Sequence, residues 1–333
     1  MSEAPTTVTL ADVARRVGPS IPTVSKVLHG RTDVSTTMRR RVLDAAHELG
    51  YRHRERPTAR STPLAPLVDL VISNVEGTWA NGVLSGVEEA ATDAGVDVVL
   101  TIARPGREWV ARLLRRPSEG AVIMLVDPAP AELAALTRAG ISVVLVDPMS
   151  PPPDHLPTVG VTNREGGRSA AEHLRGLGHA RFGIIAGART HRYSTARVAG
   201  FRSGLAGLSA RIGFGGWDRE TARREARAML DGPHRPTAVF ACSDLMALGV
   251  YDAAAELGLR IPGDLSVIGF DDVPEAEWAS PTLTTVRQPI GEMGAAALRA
   301  LLAARSAPPT AAAPRLELPT ALVVRASTAA PPR

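Results

Sequence analysis

At 333 residues, 44% hydrophobic and 22% charged, the chain has ordinary globular composition and room for a small module plus a two-lobed body. Its one cysteine, Cys242, excludes an internal disulfide framework, no apolar run approaches a membrane span, and MSEAPTTVTL offers no signal peptide, so a soluble cytoplasmic protein is expected. Charge is lopsided: residues 1–60 hold 11 Lys/Arg against 6 Asp/Glu, a net of +5, and the total of +4 leaves −1 for residues 61–333, so phosphate-seeking charge belongs to the head.

The first 51 residues read as three short helices. Leu10, Val13, Ala14 and Val17 recur at helical spacing and Gly18 closes that segment. Ser20 is placed to cap a second helix, Ile21 to His29, with Val24, Val27 and Leu28 inward and Pro22 in the first turn, where a missing N–H costs little. Ser35 opens a third, with Val42, Leu43, Ala46 and Leu49 inward and Gly50 at its end. Two short helices joined at a glycine turn make a helix-turn-helix, whose second helix enters the major groove of DNA. Its outward positions are Ile21, Pro22, Thr23, Ser25, Lys26 and His29, and Lys26 is the chain's only lysine. A three-helix module that binds protein is the alternative.

TLADVA, TVSKVL and LGY, in this order and spacing, resemble the head of the lactose/galactose-repressor (LacI/GalR) family, whose signature is TLxDVAxxAGVSxxTVSxVLN. The resemblance implies that Ser20, Ile21, Pro22, Thr23, Ser25, Lys26 and His29 face DNA, with Thr9, Leu10, Ser35 and Tyr51 at phosphate or groove-edge contacts. Pro19 replaces the usual valine of the turn, and Lys26 the usual arginine. Lysine is a point donor without the planar fork that reads guanine, so base preference is softer or altered.

Residues 52–66, RHRERPTARSTPLAP, carry three prolines and four arginines with no apolar period, the composition of a linker. The family often has NxxARxL here, a hinge helix whose leucine wedges into the minor groove. In this chain Thr62 follows Ala59-Arg60-Ser61 where leucine would stand, so Arg54 and Arg60 are expected to hold the groove or backbone, with a weaker kink.

From Leu67 onward apolar strand-like runs alternate with helical patterns, which indicates doubly wound parallel sheets covered on both faces. The resemblance extends to the family's periplasmic-binding-protein-like body, two α/β lobes joined by three crossings. They are expected near Thr158, Arg287–Pro289 and Pro319. The first lobe then spans 67–157 and 290–318, and the second 158–289 and 319–330. Asn81–Ala94 and Leu133–Ile141 are candidate dimer faces.

Such sheets bind small ligands at the carboxyl ends of their strands. Glu76 and Trp79 follow the first strand, Asp147 follows SVVLV, Ser243 and Asp244 follow AVFA, and Asp271 and Asp272 follow LSVIGF. Carboxylates and arginine hold sugar hydroxyls and an indole covers the apolar side of a pyranose. The resemblance adds Arg197 and Ser194 through STARVAGF, Asp271 through LSVIGFDD, and Ser243, a serine where the family has asparagine, through ACSDLMALG. Trp217 lies in a glycine-rich turn; it and Trp79 serve either stacking or packing. Asp272 is expected to cap its turn and Asp244 to cap a helix, and Trp109 and Trp278 to pack or to lie at an interface.

The expected function is a ligand-responsive, sequence-specific DNA-binding regulator. It resembles repressors of carbohydrate-utilisation genes that act as homodimers on near-palindromic operators. An activator or a co-repressor-dependent regulator sensing a non-sugar metabolite is the alternative. An enzyme finds little support: no metal-ligand spacing appears among the eight histidines, no cofactor motif is present, and GFGGWD is not a phosphate loop. A sugar transport protein would fit the body but not the basic head.

Overall fold

The computed structural model describes residues 8–28, 31, 34–51, 65–104, 108–304 and 313–332. The chain divides into two units, Met1–Leu64 and Ala65–Arg333. In the first, α1 (Leu10–Val17), α2 (Ile21–Leu28) and α3 (Thr36–Glu48) enclose a small core of Val13, Ala14, Val17, Val24, Val27, Val42, Ala45 and Ala46. The Thr9 amide and hydroxyl both donate to the Asp12 carboxylate, at 2.9 and 2.7 Å, which starts α1. Gly18 stops it in the left-handed region, at φ 96°. The Ser35 hydroxyl accepts from the Met38 amide and starts α3. Leu43, expected inside, is 47% exposed, and Ala45 is buried in addition to the expected Val42 and Ala46, because Leu43 lies about 100° around the helix from Val42.

The larger unit begins β1 (Leu67–Ile72), α4 (Thr78–Ala94), β2 (Asp97–Ile102), α5 (Trp109–Leu113), β3 (Ser118–Met124), α6 (Pro130–Arg138), β4 (Ser142–Val146) and β5 (Thr158–Val161). It continues through α7 (Asn163–Gly176), β6 (Phe182–Ala186), α8 (Arg192–Gly204), β7 (Ala210–Phe214), α9 (Arg219–Leu230), β8 (Ala238–Ala241), α10 (Asp244–Glu256) and β9 (Ser266–Asp271). Then come α11 (Pro274–Trp278), β10 (Thr284–Arg287), α12 (Ile290–Ala304), β11 (Arg315–Leu318) and β12 (Ala321–Val323).

Two six-stranded sheets result, in the orders β2-β1-β3-β4-β5-β11 and β7-β6-β8-β9-β10-β12. Among the described residues all strand pairings are parallel except β10 with β12. Buried Val, Ile and Leu on the central strands carry helices on both faces, which is why those strands read as unbroken apolar runs. The chain passes between the sheets three times, after Val161, after Arg287 and after Leu318.

The first passage lies beyond the expected position near Thr158. Thr158–Val161, assigned to the second lobe from the sequence, pairs with β4 and β11 in the first sheet, and the Asp147 amide donates to the Val159 carbonyl at 2.8 Å. The proline run before it imitated a lobe boundary but is a turn within one lobe. The strand β7 was not expected; it is an edge strand with one buried position, so it shows no apolar run.

Candidate functional site

In the head, α2 turns Val24 and Val27 into the core and leaves Ile21, Pro22 and Lys26 exposed, with Thr23 and Ser25 half-exposed. This follows from the spacing, since positions three apart share a face. Ser20 is exposed at the turn, its hydroxyl 3.0 Å from that of Thr23. Thr9 and Ser35 are exposed but already engaged at the starts of α1 and α3. Leu10 and Tyr51, expected at DNA, are half-buried and pack against the head core. One exposed arginine of the head is engaged within it: Arg41 donates to the Val17 carbonyl at 3.0 Å, tying α3 to the end of α1. His29, Arg54 and Arg60 lie outside the described residues.

In the body, a cavity of about 550 Å³ opens between the two lobes. It is lined by seven of the eight expected ligand residues: Glu76, Trp79, Asp147, Arg197, Trp217, Ser243 and Asp271. The eighth, Ser194, is buried within α8 and is not part of the lining. Tyr193 lines the cavity instead, about 100° away around the helix. A second hollow of about 660 Å³ lies against α6 and is lined by six prolines, with Asp127, Arg138 and His155 among its other residues.

Arg197 is the centre of the cleft. Its place is set by α7, which crosses α8 so closely that a Cβ on Gly167 would lie 2.2 Å from the Arg197 carbonyl oxygen. The guanidinium is 3% exposed. It donates to Asn163 Oδ1 and to the Cys242 carbonyl, both at 2.7 Å, lies 3.5 Å from Asp271 and 4.0 Å from Asp147, and covers the Phe270 ring at 3.7 Å. Asp147 comes from the first sheet, and Arg197 and Asp271 from the second, so this ion-pair cluster spans both lobes.

Burial pushes the Asp271 carboxyl up to about 7, against the opposing pull of Arg197 and the Gln288 amide, which donates to it at 2.5 Å. Burial also raises Asp147, again against Arg197. Both backbones sit at positive φ, 125° for Asp271 and 45° for Asp147, an uncommon conformation for aspartate and one found at functional turns.

Three rings form one wall. Trp217 stacks on His191 at 6.1 Å between centroids, and Tyr193 meets Trp217 at 5.0 Å. The indole N–H donates to His191 Nδ1 at 2.9 Å, so that nitrogen is unprotonated and a neutral ring carries its proton on Nε2. Burial lowers the His191 pKa, which favours this neutral form. The ring of Trp217 lies where a Cβ on Gly187 would be, 2.0 Å away, so a side chain at 187 would displace the indole.

Ser243 lines the cavity and also caps α10, accepting from the Met246 amide at 3.2 Å. Asp244 is therefore not the cap expected: it is wholly buried, and accepts from the Thr285 hydroxyl at 2.5 Å and from the Val273 amide at 3.0 Å. Asp272 is the structural residue expected, gripping Arg287 at 2.6 Å and Arg325 at 2.7 Å, one on β10 and one just past β12. Trp109 is buried, whereas Trp278 is 77% exposed. His191, Tyr193, Thr78 and Glu275 also line the cleft and were not expected. Among the described residues no cluster of His, Cys, Asp or Glu is arranged to hold a metal ion, and no helix is long and apolar enough to cross a membrane.

The head matches the family model described as "Bacterial regulatory proteins, lacI family" over residues 9–53, and residues 171–328 match a periplasmic binding protein-like domain. The HTH-type transcriptional regulator MalR of Streptomyces coelicolor is 34% identical over 346 residues, covering 98% of each chain. A solved complex of the transcriptional regulator CelR with cellobiose superposes with a TM-score of 0.73 at 30% identity, covering 96% of this chain and 99% of that one. The Lac repressor dimer bound to operator and the anti-inducer ONPF gives 0.71 at 26% identity, covering 98% and 100%. With a reading head of this kind on a two-lobed body of this kind, the chain belongs to the lacI family of bacterial regulatory proteins.

Proposed function

We propose that this chain is a cytoplasmic transcriptional regulator, a homodimeric repressor whose grip on a near-palindromic operator is changed by a neutral carbohydrate in the cleft. The observation that carries the effector class is the cleft's charge. Among the described residues, Glu76, Asp147, Asp218, Asp271 and Glu275 line it against one arginine, Arg197, whose Nε and Nη1 are already engaged. Carboxylates accept from hydroxyl groups, and the Trp217 wall suits the apolar face of a sugar ring. A phosphorylated sugar would meet repulsion and only one cation. The similarity to CelR, solved as a complex with cellobiose, supports a carbohydrate reading. The head supports DNA reading through α2, whose outer face of Ile21, Pro22, Ser25 and Lys26 presents one apolar, one cyclic and two polar groups to a groove.

Two measurements test this. Random duplexes retained by the chain and sequenced should enrich a near-palindrome. A thermal-shift screen with cellobiose, maltose, ribose and glucose 6-phosphate should give stabilisation by a neutral sugar that Asp271→Ala abolishes, and none by the phosphate ester. Stabilisation by glucose 6-phosphate alone would refute the neutral-sugar assignment.

A further inference from the structure

Glu275 was invisible to sequence reasoning. It is the second residue of α11, a short helix that begins at Pro274 directly after the Asp271 turn. The Val273 amide is fastened to the buried Asp244 carboxylate, and Pro274 fixes the first helical φ, so Glu275 is delivered to the cleft from a rigid start. One of its carboxylate oxygens, Oε1, accepts from the hydroxyl of Thr78. Thr78 is the first residue of α4, on the other lobe, entered through Gly77 at φ 95°. The bond therefore joins side chains 197 positions apart across the cleft.

The other oxygen, Oε2, is shielded from solvent and has no hydrogen-bond partner among the described residues, although Glu275 lines the cavity. A buried carboxylate oxygen without a donor is costly, and such groups in native folds ordinarily have a partner. The donors nearest in kind are spoken for: Arg197 serves Asn163, Cys242 and Asp271, and Gln288 serves Asp271. A ligand hydroxyl is the donor that this lining lacks.

We propose that Glu275 couples effector occupancy to lobe apposition, one carboxylate oxygen taking the Thr78 hydroxyl of the opposite lobe and the other a hydroxyl of the effector. This rests on the carbohydrate reading above and assigns a specificity-determining residue within it. The bridge gives the ligand leverage on closure, because filling Oε2 favours the same side-chain placement that holds Thr78.

Amide hydrogen exchange on the full chain without sugar tests the bridge. Thr78→Val and Glu275→Ala should each accelerate exchange in both segments 74–80 and 273–279, since the bond spans the lobes. Acceleration confined to the mutated segment overturns the bridge. Calorimetric titration with cellobiose tests the ligand contact: Glu275→Ala should weaken binding at least tenfold, while Thr78→Val, which keeps the carboxylate, weakens it threefold or less. Wild-type affinity in Glu275→Ala overturns the contact. If cellobiose, maltose and ribose all fail to bind the wild-type chain, the carbohydrate reading falls and the ligand half of the proposal with it, while exchange still decides the bridge.

Discussion

Asp271 and Arg197 show how single residues carry the cleft. In an unfolded chain an aspartate titrates near about 3.9, and in the fold Asp271 titrates at about 7 because burial outweighs Arg197. The neutral carboxyl thus stabilises the fold fully below the unfolded value, and that contribution is lost as pH rises through about 7. Thermal midpoints should fall between pH 5 and pH 8.5, and Asp271→Asn should flatten that fall, leaving a residue of the same sign from Asp147, which is raised for the same reason. An unchanged slope in Asp271→Asn would mean that the carboxyl is ionised throughout. Arg197→Met removes the cation between two buried carboxylates and should destabilise the chain by about 3 kcal/mol, read by urea unfolding. Gly187→Ala should instead act on the wall: the added methyl collides with the indole of Trp217, so ring stacking is lost and intrinsic tryptophan fluorescence shifts, with a stability loss of about 1–3 kcal/mol.

Among the elements, α3 gives the sharpest contrast between pattern and packing. Val42 is fully buried and its neighbour Leu43 is 47% exposed. Val42→Ala should cost about 1–3 kcal/mol of head stability, while Leu43→Ala should stay within about 0.5 kcal/mol; protection of the α1–α3 amides against exchange separates the two. Helices and central strands were legible because their burial is periodic or continuous. The edge strand β7 was not, since one buried residue makes no pattern. The strand β5 was seen but placed in the wrong lobe, because pairing with β4 and β11 is decided by partners distant in sequence. Asp147, Arg197 and Asp271 were legible from their places at strand and helix ends together with motif similarity. His191, Tyr193, Thr78 and Glu275 were not, because each becomes part of the cleft only when two lobes or two loops converge. Ser194 was misplaced because neighbours on a helix point about 100° apart.

At the scale of the molecule, the two sheets are joined by three passages of chain and by side chains that reach across the cleft. The backbone joins them there as well, the Arg192 amide donating to the Met149 carbonyl at 2.9 Å. Asp272, directly next to Asp271 in the chain, grips Arg287 beside the second of those passages and Arg325 just past β12. A ligand can shift a conformational equilibrium only by its preference for one arrangement over the other. The direct test of the account is fluorescence anisotropy of an enriched operator duplex, titrated with the full chain with and without saturating amounts of the sugar that stabilises it. The account predicts that the sugar changes the operator Kd by roughly 5–150-fold, the usual range for coupled sites, and that Asp271→Ala holds the Kd at its sugar-free value. A sugar that binds the cleft and leaves the operator Kd unchanged would contradict it.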